Sequence, residues 1–289
     1  MSQQSGQLPI LDAARYSWQF AITAFLPTLP AYLVRALVTG AVIAATLSSL
    51  SEGAFPLDFI GNVLGLFISI SCLAMTLRLA MKGEFEGFTG LKFGIEEARL
   101  LLANLMYILV LFVLGFVAIV LGSIFVGIIM ASVAPDLDAM ATNQEAAQQY
   151  MIEFFGTPAG VVVAILMIAV VAFPLLYFSA RLINFPAATL SRQKIMMFET
   201  WAWTKDQVWR VVAAIVVTMA PVTGISLLGI WIASALTGMP LLGSPEEMAA
   251  VSPLSGFIYG AFAGVFSIPT YLCGAALSVF MFKGFDPQR

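Results

Sequence analysis

The sequence predicts an all-α, polytopic membrane helix bundle, and three observations predict it: an apolar excess, six apolar stretches of membrane length, and basic residues confined to one side. Of 289 residues, 61% are apolar and only 10% charged. Mean hydropathy is +0.97. A soluble domain carries about a quarter charged residues, so lipid is the expected solvent. A helix needs about 20 apolar residues to cross roughly 30 Å of hydrocarbon. Stretches near 31–50, 59–81, 101–133, 159–183, 208–237 and 254–283 meet that length.

Taken in order, residues 1–30 read as a cytoplasmic and interfacial segment. Met1 to Leu8 are polar and uncharged, without the basic start of a cleaved signal peptide. From Ile10 to Leu26, Tyr16, Trp18, Phe20 and Phe25 mix with Asp12 and Arg15, which predicts an interfacial amphipathic helix. Pro27 and Pro30 are expected to break it from the first span. Residues 31–284 then form one transmembrane domain, and 285–289 a cytoplasmic tail. The third span, near 50 Å by helix rise, is expected to tilt, to bend at Gly115 or Gly122, or to project.

Helix starts carry their own chemistry. Thr157-Pro158 and Ser252-Pro253 place a capping residue before a proline whose missing N–H costs nothing at the first helical position. Ser244-Pro245-Glu246-Glu247 has capping-box form and predicts a short helix after the fifth span. Thr204-Lys205-Asp206-Gln207 repeats the form and is expected to start the fifth span.

All 13 Lys and Arg residues fall on one side of this six-span arrangement. The loops on the other side carry only acids: Glu52, Asp58, Asp136, Asp138, Glu145, Glu153, Glu246 and Glu247. By the positive-inside rule both termini are expected in the cytoplasm. Composition excludes further chemistry. There is no histidine, which removes the commonest general base and metal ligand. Cys72 and Cys273 sit in apolar runs without a CxxC partner and read as small buried hydrophobes. No cofactor, metal site or catalytic residue is expected, and a pI near 5.0 argues against a nucleic-acid partner.

Two long connectors lie on the basic side. The first contains Arg78, Lys82 and Lys92, with Phe85, Phe88, Leu91, Ile95 and Leu102 at amphipathic spacing. The second contains Arg181, Arg192, Lys194, Lys205 and Arg210 with Trp201, Trp203 and Trp209, three of the five tryptophans. Two roles compete: interfacial anchoring in the headgroup layer, and docking of anionic lipid headgroups or a partner protein through the clustered cations. Arg35, Arg78 and Arg181 are placed near the cytoplasmic boundary, where they snorkel. A phosphate cluster shared by Arg78 and Arg181 is the alternative. The parallel placement of the connectors suggests a diverged two-helix repeat.

The run Arg181-Leu-Ile-Asn-Phe-Pro186, then Glu199-Thr-Trp201-Ala-Trp203-Thr204-Lys205 and Val208-Trp209-Arg210, resembles the cytoplasmic loop of the YciC-like and glycerophosphodiester-phosphodiesterase membrane-domain families. The resemblance implies a six-span bacterial inner-membrane bundle without an assigned reaction.

Inside the spans, Asn62, Asn104 and Asn184 are expected to form interhelical hydrogen bonds. Pro174, Pro221 and Pro269 are expected to kink their helices, and a polar cavity near Thr218, Thr223 and Asn104 would favour transport. Gly61 with Gly65, and Gly256 with Gly260 and Gly264, have the small-xxx-small spacing of helix association. Their neighbour is either another span of this chain or a second protein, and the triple glycine of the last span is the surface to test for association. The function expected is therefore non-enzymatic, through lipid or protein contacts in an accessory, scaffold or assembly role. A transporter or channel is the alternative. A lipid-modifying enzyme would need the acid pairs Glu96-Glu97 or Asp136 with Asp138.

Overall fold

The computed structural model describes residues 8–52, 55–85, 87–133, 144–241 and 243–286. In chain order these form α1 (Ile10–Glu52), α2 (Phe55–Lys82), α3 (Ile95–Val133), α4 (Gln144–Phe155), α5 (Pro158–Leu182), α6 (Phe185–Arg192), a 3₁₀ helix (Glu199–Gln207), α7 (Val208–Thr237), α8 (Pro245–Ala249), α9 (Pro253–Phe266) and α10 (Ile268–Phe285). No strand occurs among the described residues. Six helical stretches among them are long and apolar enough to cross a membrane. The chain is an all-α, multi-pass membrane fold divided into two compact units, Met1–Asn104 with Ala180–Arg289, and Leu105–Ser179.

In the first unit α1 is the hub, because small residues recur along one of its faces. Ala13, Ser17, Ala21, Ala24, Thr28, Ala31 and Ala36 are buried. On the opposite face Ile22 and Leu26 are 75% and 74% exposed. Small residues inside and large apolar ones outside invert the soluble pattern, and they suit a helix that packs closely on neighbours and meets lipid elsewhere. The glycine pairs serve the same helix. A Cβ at Gly260 would stand 2.8 Å from the Gly40 Cα, and one at Gly264 would stand 2.7 Å from the Ala36 Cα, so α9 lies backbone to backbone on α1. Gly61 and Gly65 face Val42 and Val38 of α1 from α2. The glycines of the last span are thus covered by α1 of the same chain.

The break expected at Pro27 and Pro30 is absent, since α1 runs through both prolines. Two effects outweigh the lost N–H groups. The buried small-residue stripe continues on both sides of the prolines, and Thr28 Oγ1 donates to the Ala24 carbonyl at 2.7 Å, adding a local bond beside the interruption. The segment 10–30 is accordingly part of a packed helix and not a separate interfacial one. The last span is interrupted two residues before Pro269. Ser267 separates α9 from α10 and keeps helical dihedrals (φ −80, ψ −11), while Ser226 Oγ of α7 donates to the Phe266 carbonyl at 3.0 Å. In the second unit α3 passes Gly115 and Gly122 without a break, and Tyr107 pairs with Ser179 at 2.9 Å.

Three of the four expected caps form. Gly160 N donates to Thr157 Oγ1 at 3.0 Å and Ser255 N to Ser252 Oγ at 3.1 Å. Ser244 and Glu247 exchange the two bonds of a capping box. Thr204 does not cap α7. It lies inside the 3₁₀ helix, and its hydroxyl donates to the Arg181 carbonyl at 3.3 Å.

Candidate functional site

The Lys- and Arg-rich helix ends meet in the first unit, and most of their cations are already engaged. Arg78, in the last two turns of α2, has a 10% exposed side chain and donates to Glu97 at 2.6 Å and to Glu96 at 3.3 Å. Glu97 also accepts from Gly94 N at 2.9 Å, which is the carboxylate half of a capping box at the start of α3. Glu96 accepts from Gln193, whose carbonyl oxygen takes an N–H from Arg99 at 2.9 Å. This bridge joins the two connectors, and nothing in the periodicity of either one announces Gln193. An open hollow of about 470 Å³ is lined by Arg78, Lys82 and Lys92 and equally by Glu84, Glu96 and Glu97. Three cations facing three carboxylates leave it without the net positive charge that a phosphate needs.

The second connector divides in the same way. The Arg181 guanidinium lies 4.5 Å from the Trp201 ring centre and is buried. Arg192 pairs with Asp286, Arg210 donates to the Leu8 carbonyl at 3.1 Å, and Trp203 packs 6.2 Å from Phe282. These groups hold the helix ends together. What faces outward is a set of lysines and rings: Lys92, Lys205 and Trp209 are exposed, Lys194 pairs at 3.2 Å with an equally exposed Glu199, and Lys82 pairs loosely with Glu84 at 3.8 Å. Phe88 is 84% exposed, and Phe93 and Phe198 are exposed as well. The docking set expected from the sequence is thereby split into bonded struts and an outer layer.

The first connector also folds back along its own helix. Ser71 Oγ donates to the Lys92 carbonyl at 2.7 Å and accepts from Lys92 N at 3.1 Å, which puts the connector backbone three turns below Lys82. Gly90 has φ +66 and would drive a Cβ to within 2.8 Å of Met75. A left-handed backbone pressed on a side chain is a position for glycine.

Arg35 lies elsewhere than expected. With α1 unbroken it sits 25 residues into the helix, far from either end. Its Nε donates to Ser69 at 3.2 Å, Nη1 to Ser267 at 3.2 Å and Nη2 to Tyr271, whose ring centre is 3.8 Å from the guanidinium carbon. Ser69 is halfway along α2, and Ser267 is the junction of α9 and α10. Beside it, Tyr32 of α1 is buried and its hydroxyl pairs with Thr76 at 2.9 Å. No carboxylate among the described residues forms an ion pair with Arg35. The sequence hid this centre because its partners are 34, 232 and 236 residues away.

Other expected polar groups take local roles. Asn104 donates to the Leu100 carbonyl of its own helix at 2.8 Å instead of reaching a neighbour. Asn184 is fully buried, and its amide has no hydrogen-bond partner among the described residues. Thr218 is buried and Thr223 exposed. Cys72 and Cys273 are buried free thiols. Glu96 and Glu97 are committed to Arg78, and Asp136 and Asp138 lie outside the described residues. No family model, curated protein or solved structure matches the chain.

Proposed function

We propose that this protein is a non-enzymatic, multi-pass protein of the bacterial inner membrane that acts by contact with anionic lipid or a membrane partner, in an accessory, scaffold or assembly role. The observation that carries this reading is the outer layer of the two connectors. Phe88 and Phe93 flank Lys92, and Phe198 and Trp209 flank Lys194 and Lys205, with the rings and lysines exposed together. Aromatic rings favour the headgroup layer, and each lysine near an acidic leaflet contributes about 1 kcal/mol of attraction. Both termini then face the cytoplasm, and the similarity to the YciC-like families fits the same place in the cell.

The test separates this outer layer from the struts. In the K92Q/K194Q/K205Q variant, detergent-purified and examined by native mass spectrometry, the number of phosphatidylglycerol molecules retained per chain should fall. Its retention of phosphatidylcholine and its melting temperature should stay at wild-type levels. Equal phosphatidylglycerol retention by variant and wild type would remove the proposal. Arg192 is excluded from the set because its loss would strand Asp286, whose side chain is only 8% exposed. The alternative of a small-solute or lipid transporter is favoured by one feature, the Arg35 centre.

A further inference from the structure

We infer that Arg35 is the cationic centre of a second binding site, midway along the helices, that takes a phosphate-type oxyanion. This does not rest on the connector lysines.

Position comes first. Ser69 is 14 residues from the start of α2 and 13 from its end, so the guanidinium is held about 20 Å from either end of that helix. Ser267 stands at the junction of α9 and α10, 14 residues after Pro253. A full charge held this far inside apolar helices costs several kcal/mol, and such residues are characteristically functional.

Chemistry comes second. The three groups that hold Arg35 are all neutral hydroxyls, from Ser69, Ser267 and Tyr271. They orient the guanidinium and satisfy three of its five N–H groups but leave its charge uncompensated. One N–H remains on each terminal nitrogen. Two donors on one planar cation are what a carboxylate, phosphate or phosphodiester accepts side by side. The contrast within the chain is informative, since Arg78 and Arg192 each meet a carboxylate while Arg35 meets none among the described residues.

Access comes third. Arg35 is only partly buried and Tyr271 is 38% exposed. A surface halfway along a helix is open sideways, not through the bundle ends. The site is therefore reached laterally, by a lipid phosphate or by a soluble oxyanion that enters between helices. Ser267 also donates to the Gly264 carbonyl at 2.7 Å, so the residue that bonds Arg35 is tied to the end of α9.

The experiment uses the full chain in neutral detergent and follows melting by tryptophan fluorescence, with phosphatidylglycerol, phosphatidylcholine and inorganic phosphate as separate probes. Wild type should be stabilised by phosphatidylglycerol and not by phosphatidylcholine. Arg35→Gln should weaken that response about 10- to 100-fold in concentration, and Arg35→Lys should restore part of it. The K92Q/K194Q/K205Q variant should keep the Arg35-dependent response, which separates this site from the outer layer. Stabilisation by inorganic phosphate as well identifies a soluble oxyanion, and stabilisation by the lipid alone identifies a lipid phosphate. An unchanged response in Arg35→Gln, or none in wild type to either anionic probe, overturns the site. Should Arg35→Gln fail to fold, S69A/Y271F keeps the cation and loosens its clamp. A wild-type response in that variant overturns the site equally.

Discussion

Gly260→Ala is the substitution that best examines how α1 and α9 are joined. The added Cβ would stand 2.8 Å from the Gly40 Cα, 2.8 Å from Ile43 Cδ1 and 3.0 Å from the Thr39 carbonyl oxygen. Ile43 can turn away, but two of the three obstacles are backbone. The helices must therefore separate by about 0.6 Å to restore ordinary contact, and gaps of 0.5–1 Å forfeit a quarter to a half of each dispersion well along the seam. Overpacking of this kind costs about 1–3 kcal/mol. Alanine also improves helix propensity by up to about 1 kcal/mol, which partly masks the loss. Gly224→Ala in α7 supplies the correction, since nothing lies within 4 Å of its added Cβ and the propensity gain is shared. In reversible unfolding from mixed micelles with increasing dodecyl sulfate, Gly260→Ala should fall below Gly224→Ala by about 1–3 kcal/mol. Its oligomeric state, measured by light scattering in the same detergent, should match wild type because the stripe is covered within the chain. Equal stability of the two variants would refute the close approach, and a changed oligomeric state would show that the stripe serves a second copy.

Two further outcomes follow from the basic helix ends. Arg78→Ala strands Glu97, whose side chain is 7% exposed, and should cost about 3 kcal/mol, with part recovered in R78A/E97Q because no buried charge is then left alone. The same micelle unfolding measures both, and a loss under about 0.5 kcal/mol would mean that the pair contributes no more than a surface bridge. For orientation, a reporter fused at the C-terminus should be read from the cytoplasm and one inserted at Glu145 from the opposite side; the reverse result would invert the topology drawn from the basic residues.

The contents of the two candidate sites were legible to different degrees. Exposed Lys92, Lys194 and Lys205 stand in runs whose composition already marks the headgroup layer. The strut role of Arg78, Arg181, Arg192 and Arg210 was not legible, because a cation reads alike in a sequence whether it meets a lipid or a carboxylate 19 or 94 residues away. Glu97 decided the case of Arg78, and Asp286 that of Arg192.

Composition and local chemistry by themselves determined the solvent, the six apolar helices and three helix starts. Each depends on residues within one or two turns: Thr157 with Gly160, Ser252 with Ser255, Ser244 with Glu247. The tertiary structure decided where locality failed. Pro27 and Pro30 forbid a helix only on local grounds, and a stripe of small side chains from Ala13 to Ala36, packed against neighbours on both sides of the prolines, outweighs them. That continuity moves Arg35 from an expected boundary to the middle of α2 and the junction of α9 with α10. Thr204 was likewise drawn from its cap by a carbonyl 23 residues away. A hydrogen bond across helices forms only when packing has brought its partners together, and the spacing within one helix carries no record of the other.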